Sequence, residues 1–437
     1  MSDNPCRVYT VRTLEEAKHV LSSAEKGDFK SLALRCFLFL WVAAANCALW
    51  VLRLVLFKKW GYKTGEFRSI VVYTVGIVGD NVVMLPALAS LRRRYAKAKI
   101  TVVTNCQAWD QEAARGVLQS SPFKDRLIVL GDDPVQRKGF RFILNGSLTN
   151  VSCDLFVNLS PFGNRGWIGA VAREMIFAKM LGASYAIGFR MSTYSRKEIF
   201  NKVQCHFVKN EPRRARSVLK LLGLKPIEDE DLFPRDSKAH DTIVRKLREK
   251  GTLSESLFVV NPGAKFESKC WPAERFGAVS RWLFEQCDAS VVVTGIAGER
   301  PLAENVVAAA GNCAINLAGE TTIQEMVELL RLSKGCVTND TGTMHLAAMV
   351  GVPTVALFSL RHSPTHWLPL GRHVLSLFSS LDCIYCYNDE CKIGACLKGI
   401  TTDDVIRALR EVLGEASGET SRDLATTKVS ARVPYAG

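Results

Sequence analysis

Three strand-to-helix turns in this 437-residue chain carry the side chains that are suited to chemistry. Asp80 follows the apolar run Ile70–Val75, and Lys269 lies in the second turn, within Asn261–Pro272. The third turn, Asn339–His345, reads Asn-Asp-Thr-Gly-Thr-Met-His. A helix N-terminus presents free N–H groups and the positive end of the helix dipole, so anions bind there. These turns carry an acid, a lysine, and an aspartate with a histidine. The pattern predicts an enzyme that binds an anionic ligand in a cleft.

Asp80 has two interpretations. An aspartate at the start of a helix commonly caps its first turn. At a turn that faces a cleft, the carboxylate is also placed to take a proton from an acceptor hydroxyl. The glycines around it do not have the Gly-x-Gly-x-x-Gly spacing of a dinucleotide site, and the second predicted strand ends in Thr104-Asn105 rather than in an acid. An NAD-dependent oxidoreductase is therefore disfavoured.

The other two turns favour a ligand site over ordinary structure. In Asp340–Thr343, Gly342 lets a ligand approach the backbone, two threonines offer hydroxyls, and His345 follows within the first helical turn. The alternative is a capped turn with a core histidine. Lys269 stands just before a predicted helix at the carboxyl edge of a sheet, where it is suited to meet phosphate, whereas most lone lysines are solvated.

Two patterns raise the question of a metal. Four cysteines are spaced closely enough for a structural zinc site, although reduced thiols or a disulfide pair are alternatives and the spacing differs from the common paired-knuckle pattern. They are Cys383, Cys386, Cys391 and Cys396. Asp229-Glu230-Asp231 fits an Asp-x-Asp metal motif superficially, but it lies in a charged linker with no strand before it, which indicates solvated surface. No metal is predicted in the cleft.

The composition fits two domains and an anionic partner. The chain is 48% hydrophobic, and its net charge is +14. Such a surplus favours nucleic acid, an anionic membrane or an anionic substrate. Aromatic residues are not interleaved with the basic runs and no nucleic-acid module is visible, so nucleic acid is not expected as a partner. No cleavable signal pattern is present near the N-terminus, which predicts that the catalytic part is cytoplasmic.

One segment is a candidate for membrane association. Cys36–Leu52 has Asn46 as its only strongly polar residue, and Leu54–Phe57 extend the apolar run. A spanning helix needs about 20 apolar residues, so three alternatives stay open: a span, a helix lying on the membrane surface, and a buried helix of a soluble domain. Trp41, Trp50 and Trp60 and the basic residues on both sides of the run suit a membrane interface. The basic residues are denser on its C-terminal side, which places the large domain in the cytoplasm.

Strand and helix patterns alternate along two halves of the chain, which predicts parallel βαβ units in two doubly wound, Rossmann-like α/β domains that face a cleft. The predicted strands are Ile70–Val75, Ile100–Thr104, Leu127–Leu130, Asp154–Leu159, Tyr185–Phe189, Leu257–Asn261, Ser290–Thr294, Ala314–Leu317, Gly335–Thr338 and Thr354–Phe358. The predicted helices are Val82–Tyr95, Trp167–Leu181, Pro212–Leu222, Pro272–Cys287, Glu299–Ala310, Ile323–Leu332, Met344–Val350 and Thr402–Leu413. The predicted helix Ile323–Leu332 has Thr321 or Thr322 as a candidate cap. The last predicted helix, Thr402–Leu413, has Thr401 or Thr402.

Several of these segments together resemble glycosyltransferase family 9, the ADP-heptose:lipopolysaccharide heptosyltransferase family. The resemblance runs from about residue 70 to residue 413. The segments that carry it are Val78–Pro86, Asn261–Ala264 with Lys269–Pro272, Asn339–Ala348 and Gly351–Phe358. The cysteine cluster is also similar to the C-terminal end of many members.

The resemblance implies the two-domain GT-B fold, an inverting mechanism and no required metal or cofactor. By position, Asp80 would be the general base and Lys269 would hold the diphosphate of a nucleotide-sugar donor similar to ADP-heptose. Residues implied to line the rest of the donor site are Gly263, Glu299, Asp340, Thr341, Gly342 and His345. The implied acceptor is a lipopolysaccharide-type glycolipid. The basic surface and the apolar N-terminal segment suit a membrane-bound acceptor of this kind, so we expect the membrane surface as a second partner, on the cytoplasmic face of the inner membrane.

On this basis the chain divides into an N-terminal polar segment with a membrane-associating helix (1–66), an acceptor domain (67–230), a donor domain (231–415) and a disordered tail (416–437). The chain differs from many members in having Ala264-Lys265 where some offer hydroxyl residues to phosphate, and in its N-terminal apolar segment. The alternative function is a non-catalytic, membrane-attached protein that binds sugar nucleotides; the presence of Asp80 argues against it.

Overall fold

The computed structural model of the chain describes most of both predicted domains and two short parts of the N-terminal segment. The described residues are 8–11, 44–57, 66–106, 111–130, 148, 150–161, 168–189, 210–225, 227, 230–252, 255–361, 366–379, 391 and 394–416.

Among the described residues, two elements precede the first domain: the strand β1 (Val8–Val11) and the helix α1 (44–56). The N-terminal domain is then built on a five-stranded parallel sheet. Its strands are β2 (Ser69–Gly76), β3 (Lys99–Cys106), β4 (Arg126–Val129), β5 (Leu155–Asn158) and β6 (Tyr185–Ile187). Its helices are α2 (Val78–Arg94), α3 (Gln111–Ser120), α4 (Ile168–Met180) and α5 (Glu211–Val218). The strand order is β4-β3-β2-β5-β6.

The C-terminal domain is built on a seven-stranded sheet. Its strands are β7 (Leu257–Asn261), β8 (Ser290–Val293), β9 (Ala314–Asn316), β10 (Gly335–Asn339), β11 (Thr354–Leu357) and β12 (Val374–Ser379), together with β1. Its helices are α6 (Ser237–Glu249), α7 (Ala273–Cys287), α8 (Arg300–Ala309), α9 (Ile323–Leu332), α10 (Gly342–Val350), α11 (Ala395–Lys398) and α12 (Thr402–Ala416). The strand order is β1-β12-β11-β10-β7-β8-β9.

In each sheet, successive strands are added first toward one edge and then toward the other. The point at which the strand order reverses determines where a ligand fits. In the N-terminal domain the order reverses between the neighbouring strands β2 and β5, and in the C-terminal domain between β7 and β10. Open parallel sheets bind ligands in the crevice outside the carboxyl ends of such strands. The predicted pair of doubly wound domains is therefore confirmed, and the turns after β2, β7 and β10 are the three turns singled out above.

Local sequence explains the main elements. All five residues of β7 and all four of β11 are buried, as expected for strands covered by helices on both faces. The side chain of Thr322 accepts a hydrogen bond from Glu325 N at the start of α9, and Thr401 accepts one from Asp404 N at the start of α12. These two caps agree with the prediction, and they satisfy backbone donors that the first helical turn leaves unpaired.

The N-terminal segment contacts both domains. β1 adds to the edge of the C-terminal sheet by antiparallel pairing with β12, with Val8 opposite Ser379. α1 instead lies on the N-terminal domain, where Ala45, Leu49 and Phe57 are buried in the same apolar cluster as Phe156 and Phe189. In the part of the chain that the structure describes, no helix is long and apolar enough to cross a membrane.

Candidate functional site

A cavity of about 310 Å³ lies between the two domains at the carboxyl ends of β2, β7, β8 and β10. The N-terminal domain contributes the start of α2, and the C-terminal domain contributes the turns that follow its strands. All the residues implied above for a base and a donor site line this one cavity. They are Asp80, Gly263, Lys269, Glu299, Asp340, Thr341, Gly342 and His345.

Asp80 is the third residue of α2, and both interpretations of it fit the geometry. Its carboxylate accepts a hydrogen bond of 2.8 Å from the backbone N–H of Ile77, so it caps the turn. The same side chain also lines the cavity. Gly76 makes room for it, because a Cβ at that position would lie 2.2 Å from the Asp80 Oδ2 atom.

Burial raises the pKa of Asp80 to about 7. The Ile77 hydrogen bond acts in the opposite direction, because it stabilises the ionised carboxylate. The negative charge of Glu211 raises the pKa further, and the positive charges of Lys265 and Arg214 lower it. A carboxylate that exchanges its proton near neutral pH is suited to general-base catalysis.

Lys269 and Asp340 form an ion pair in the wall of the cavity. Lys269 Nζ lies 2.6 Å from Asp340 Oδ2, and both side chains are largely buried. Asp340 directly follows β10, and its backbone N–H donates to Leu357 O. The predicted phosphate-binding lysine is therefore held by an acid from the neighbouring turn, and its charge is balanced while no anion is bound.

The starts of α2 and α10 approach each other closely across the domain boundary. A Cβ on Gly342 would lie 2.9 Å from the side chain of Val78 and 3.3 Å from Gly79 N. A Cβ on Gly79 would lie 3.1 Å from the imidazole of His345. The sequence predicted that Gly342 admits a ligand; it lines the cavity, and it also admits the backbone of the other domain. Two positive helix ends thus face the same space.

His345 is a neutral side chain at physiological pH. Burial lowers its pKa to about 4, and the charge of Lys269 lowers it further, against the opposing effect of Asp340. Its ring lies 6.0 Å from that of Trp367, centroid to centroid. A neutral imidazole in this position is able to donate or accept a hydrogen bond, but it does not add positive charge.

Glu299 and Gly263 pack against each other in the cavity wall. The Glu299 Oε2 atom accepts a hydrogen bond of 2.9 Å from Ile296 N in the turn after β8. A Cβ on Gly263 would lie 2.1 Å from the Glu299 carboxyl carbon. Because Gly263 has no side chain, the carboxylate of Glu299 fits beside it. A hydrogen-bond acceptor therefore lies in the cavity wall.

Several lining residues were not recognised from the sequence as site residues. Lys265, noted only as a departure from the family, lines the cavity with Phe266 and Trp367. The Phe266 ring holds two cations: Arg361 Cζ is 4.3 Å and Lys265 Nζ is 5.4 Å from its centroid. Burial lowers the pKa of Lys265, against the effect of Asp80. In the sequence, the aromatic residue Phe266 next to Lys265 is a weak indication that these residues belong to the site.

The cysteine cluster is only partly described. Cys383 and Cys386 lie outside the described residues. The Cys391 sulfur accepts a hydrogen bond from Gly394 N at 3.4 Å, and Cys396 packs against the apolar core. Among the residues that the structure describes, no three histidine, cysteine or acidic side chains are grouped as a metal site. A zinc site at the cluster stays a prediction.

Comparison with known proteins gives a consistent assignment. The sequence profile of glycosyltransferase family 9 (heptosyltransferase) matches residues 176–396, just over half of the chain. Lipooligosaccharide heptosyltransferase 2 of Haemophilus influenzae is 36% identical over 115 residues, which cover 25% of this chain and 33% of that protein. The chain thus spans about a third of the length of this relative. The Campylobacter jejuni protein of the same name is 28% identical over 300 residues, covering 63% of this chain and 90% of that protein.

The fold has a counterpart among solved structures. The structure of Escherichia coli ADP-heptose lps heptosyltransferase II is similar, with a TM-score of 0.57 and 20% identity over 80% of this chain and 99% of that one. At this identity the likeness shows the fold: two parallel-sheet α/β domains similar to those of GT-B heptosyltransferases. On the sequence match over half of its length, the chain belongs to glycosyltransferase family 9.

Proposed function

We propose that the protein is an inverting glycosyltransferase that moves heptose, or a similar sugar, from a nucleoside-diphosphate sugar to a lipopolysaccharide-type glycolipid. One observation carries the proposal: a carboxylate with a pKa of about 7, Asp80, and a buried lysine, Lys269, line the same cavity between two domains. Inverting transfer needs one base for the acceptor hydroxyl and positive charge for the leaving diphosphate.

In the proposed reaction, the acceptor oxygen attacks the anomeric carbon of the donor sugar and Asp80 takes the proton of that hydroxyl. The bond between the anomeric carbon and the diphosphate oxygen breaks, and the diphosphate leaves with the electron pair. Lys269 and the N-terminal end of α10 stabilise the charge that develops on it. Because the nucleophile enters opposite to the leaving group, the configuration at the anomeric carbon is inverted.

The named relatives support the choice of donor and acceptor. The Haemophilus influenzae and Campylobacter jejuni relatives are lipooligosaccharide heptosyltransferases by name, and the Escherichia coli structure is that of an ADP-heptose lps heptosyltransferase. We therefore propose ADP-heptose as the first donor to test and a lipopolysaccharide core as the acceptor. No metal or cofactor is needed in this scheme, because Lys269 and the helix ends supply the positive charge.

A transfer assay tests the function directly. With ADP-heptose and a delipidated lipopolysaccharide core as acceptor, we expect ADP release coupled to heptosyl product, with inverted anomeric configuration by NMR. EDTA is expected to leave the rate unchanged. Tight binding of ADP-heptose without any transfer or hydrolysis would instead support the non-catalytic sugar-nucleotide-binding protein, and activity that is lost with EDTA and restored by Mg²⁺ would contradict the metal-independent scheme.

We further propose that the protein lies on the cytoplasmic face of the inner membrane, and that α1 contributes to its attachment. One face of α1 is packed on the N-terminal domain through Ala45 and Leu49, but Trp50, Val51 and Val55 are 58%, 54% and 77% exposed. An apolar helix face of this kind favours an interfacial position parallel to the bilayer. A glycolipid acceptor is presented at that surface.

Vesicle flotation tests this attachment. We expect Val51→Glu combined with Val55→Glu to reduce binding to anionic phospholipid vesicles about tenfold or more, since each valine that enters the membrane contributes about 1.5–3 kcal/mol. Phe284→Glu, at an exposed apolar residue of α7 in the other domain, is the control and should bind like the wild type. Wild-type protein that stays wholly with the soluble fraction at low salt would exclude the proposal.

A further inference from the structure

A second group of buried titratable side chains lies at the junction of the two domains, outside the site derived so far. Glu211 is 1% exposed, His366 is 5% and Arg214 is 6%. Charged side chains are almost never this deeply buried unless they are paired. Glu211 and Arg214 belong to α5 of the N-terminal domain, whereas His366 belongs to the C-terminal domain.

Glu211 is fixed within the N-terminal domain by an ion pair. Its Oε2 atom lies 2.6 Å from Arg214 Nε, three residues along α5. Arg214 Nη2 in turn donates to Leu159 O and Ser160 O, at 2.7 Å and 3.0 Å. These carbonyls follow β5 directly, and β5 is the neighbour of β2, whose carboxyl end leads to Asp80. The pair is therefore anchored at the sheet edge from which Asp80 projects.

The same end of α5 contacts the C-terminal domain. The Glu211 Oε1 atom lies 3.9 Å from His366 Nε2. Next to it, Asn210 Nδ2 donates to Leu368 O at 2.8 Å. Trp367, between these two contacts in the chain, lines the cavity, and its ring lies 5.2 Å from that of His366. Glu211 thus joins the domains beside the wall of the cavity.

We propose that Glu211 is a positioning residue for sugar transfer, because it joins the two domains beside Trp367, which lines the same cavity as Asp80. A buried ion pair is weak evidence for stability, since desolvation offsets most of the attraction. Its position at the domain junction, beside the cavity wall formed by Trp367, gives it a role in the reaction instead. The inference rests on the proposed transfer by Asp80.

The electrostatics agree with the geometry. The charge of Glu211 raises the pKa of Asp80, while Arg214 and Lys265 lower it. Burial lowers the pKa of His366, and Arg214 and Lys269 add to this effect against Glu211 and Asp340. His366 is therefore mainly neutral at pH 7, so it does not offset the effect of the Glu211 charge on Asp80.

Glu211→Gln separates this role from simple packing. Activity is lost as the pH falls through the pKa of the Asp80 base. Removing the negative charge of Glu211 lowers that pKa, so the acidic limb of the kcat profile should move to lower pH. We also expect kcat on the alkaline plateau to fall below that of the wild type, because a weaker base is a poorer proton acceptor. The assay uses ADP-heptose and delipidated lipopolysaccharide core.

The chain contains a matched control. On α9, Glu328 pairs with Arg331 three residues on, both side chains are buried, and His240 Nδ1 lies 3.8 Å from Glu328. This group has the same chemistry as the Glu211 group, but it lies within the C-terminal domain, and Glu328 is not among the charges that shift the pKa of Asp80. Glu328→Gln should therefore leave the pH profile where it is in the wild type. An identical shift in both variants, or no shift in Glu211→Gln, would overturn the proposal.

A second variant keeps the test decisive if Glu211→Gln does not fold. His366→Asn retains the ion pair and removes the contact of Glu211 with the C-terminal domain, so we expect the KM for ADP-heptose to rise about threefold or more with the acidic limb unchanged. Wild-type kcat and KM in His366→Asn would overturn the proposal. A wild-type enzyme that transfers no sugar would instead refute the proposed function, which distinguishes the two failures.

Discussion

Replacement of Asp80 by asparagine is expected to lower the turnover of sugar transfer by about 10² to 10⁴, with nearly unchanged affinity for the donor. Asparagine has the same shape and its amide oxygen is able to accept the hydrogen bond from Ile77 N, so the turn before α2 should be preserved. What is lost is the group that takes the acceptor proton. Steady-state kinetics with calorimetry of donor binding separates the two effects.

The pH dependence gives the same variant a second readout. With a pKa of about 7, Asp80 is ionised above neutrality, so the wild-type rate should rise between about pH 6 and pH 8 and the residual rate of Asp80→Asn should not. The pKa of Asp80 is raised above its ordinary value of 3.8, so folding favours the protonated form. Its contribution to stability is present below pH 4 and is lost as the pH rises through 7.

The variant should therefore be more stable than the wild type at pH 8, and the gain should disappear toward pH 4. Asp154→Asn is the control: its carboxylate accepts a hydrogen bond from Ser69 N at the opposite end of β2, away from the cavity. We expect it to transfer sugar at the wild-type rate. A near-normal turnover of Asp80→Asn across the pH range would remove Asp80 from the role of base.

The central strands were predictable because they are continuous apolar runs. β7 was predicted with its observed bounds, and β10 differs by one residue, since short runs that are buried on both faces have few other solutions. The start of α2 was predicted four residues too late. Glycine at position 79 weakens the helical pattern, whereas in the structure it allows close contact with α10, since a Cβ there would lie 3.1 Å from His345.

The sequence did not predict elements with a distant partner or with few apolar residues. β1 is a four-residue polar-apolar strand whose partner, β12, lies more than 350 residues along the chain, and neither was predicted. α6 was also missed, although its buried residues Ala239, Ile243 and Leu247 have a helical spacing, because the rest of the helix is polar. The sequence predicted only a polar segment and an anchor before residue 66.

The site was predictable by its turns but not by its pairings. Parallel sheets bring the ends of β2, β7 and β10 together, so residues after those strands were expected in one cleft. No pattern showed that Lys269 would be paired with Asp340, or that Glu211 would meet His366 from the other domain. Such contacts are set by packing between elements that are far apart in the sequence.

The second prediction with a large expected effect concerns Lys269, which is paired with Asp340. Lys269→Met keeps most of the apolar stem and removes the charge, so the donor diphosphate loses a charge-assisted hydrogen bond. We expect the affinity for ADP-heptose to fall about tenfold to a hundredfold, and kcat to fall about 10² to 10³ because the leaving group is no longer stabilised. Calorimetry and single-turnover kinetics measure the two separately.

The same substitution should destabilise the free protein by about 3–5 kcal/mol, because it leaves the Asp340 carboxylate buried without its cation. Lys269→Met combined with Asp340→Asn removes both charges, so the free energy of unfolding should recover while donor binding stays weak. Lys246→Met is the control, since Lys246 forms a similar pair with Glu325 at 2.9 Å on the same domain, outside the cavity lining. If the double variant binds ADP-heptose as tightly as the wild type, the diphosphate does not lie at Lys269. If donor binding is weak only in the single variant, the defect comes from the unpaired Asp340 charge rather than from a lost contact to phosphate.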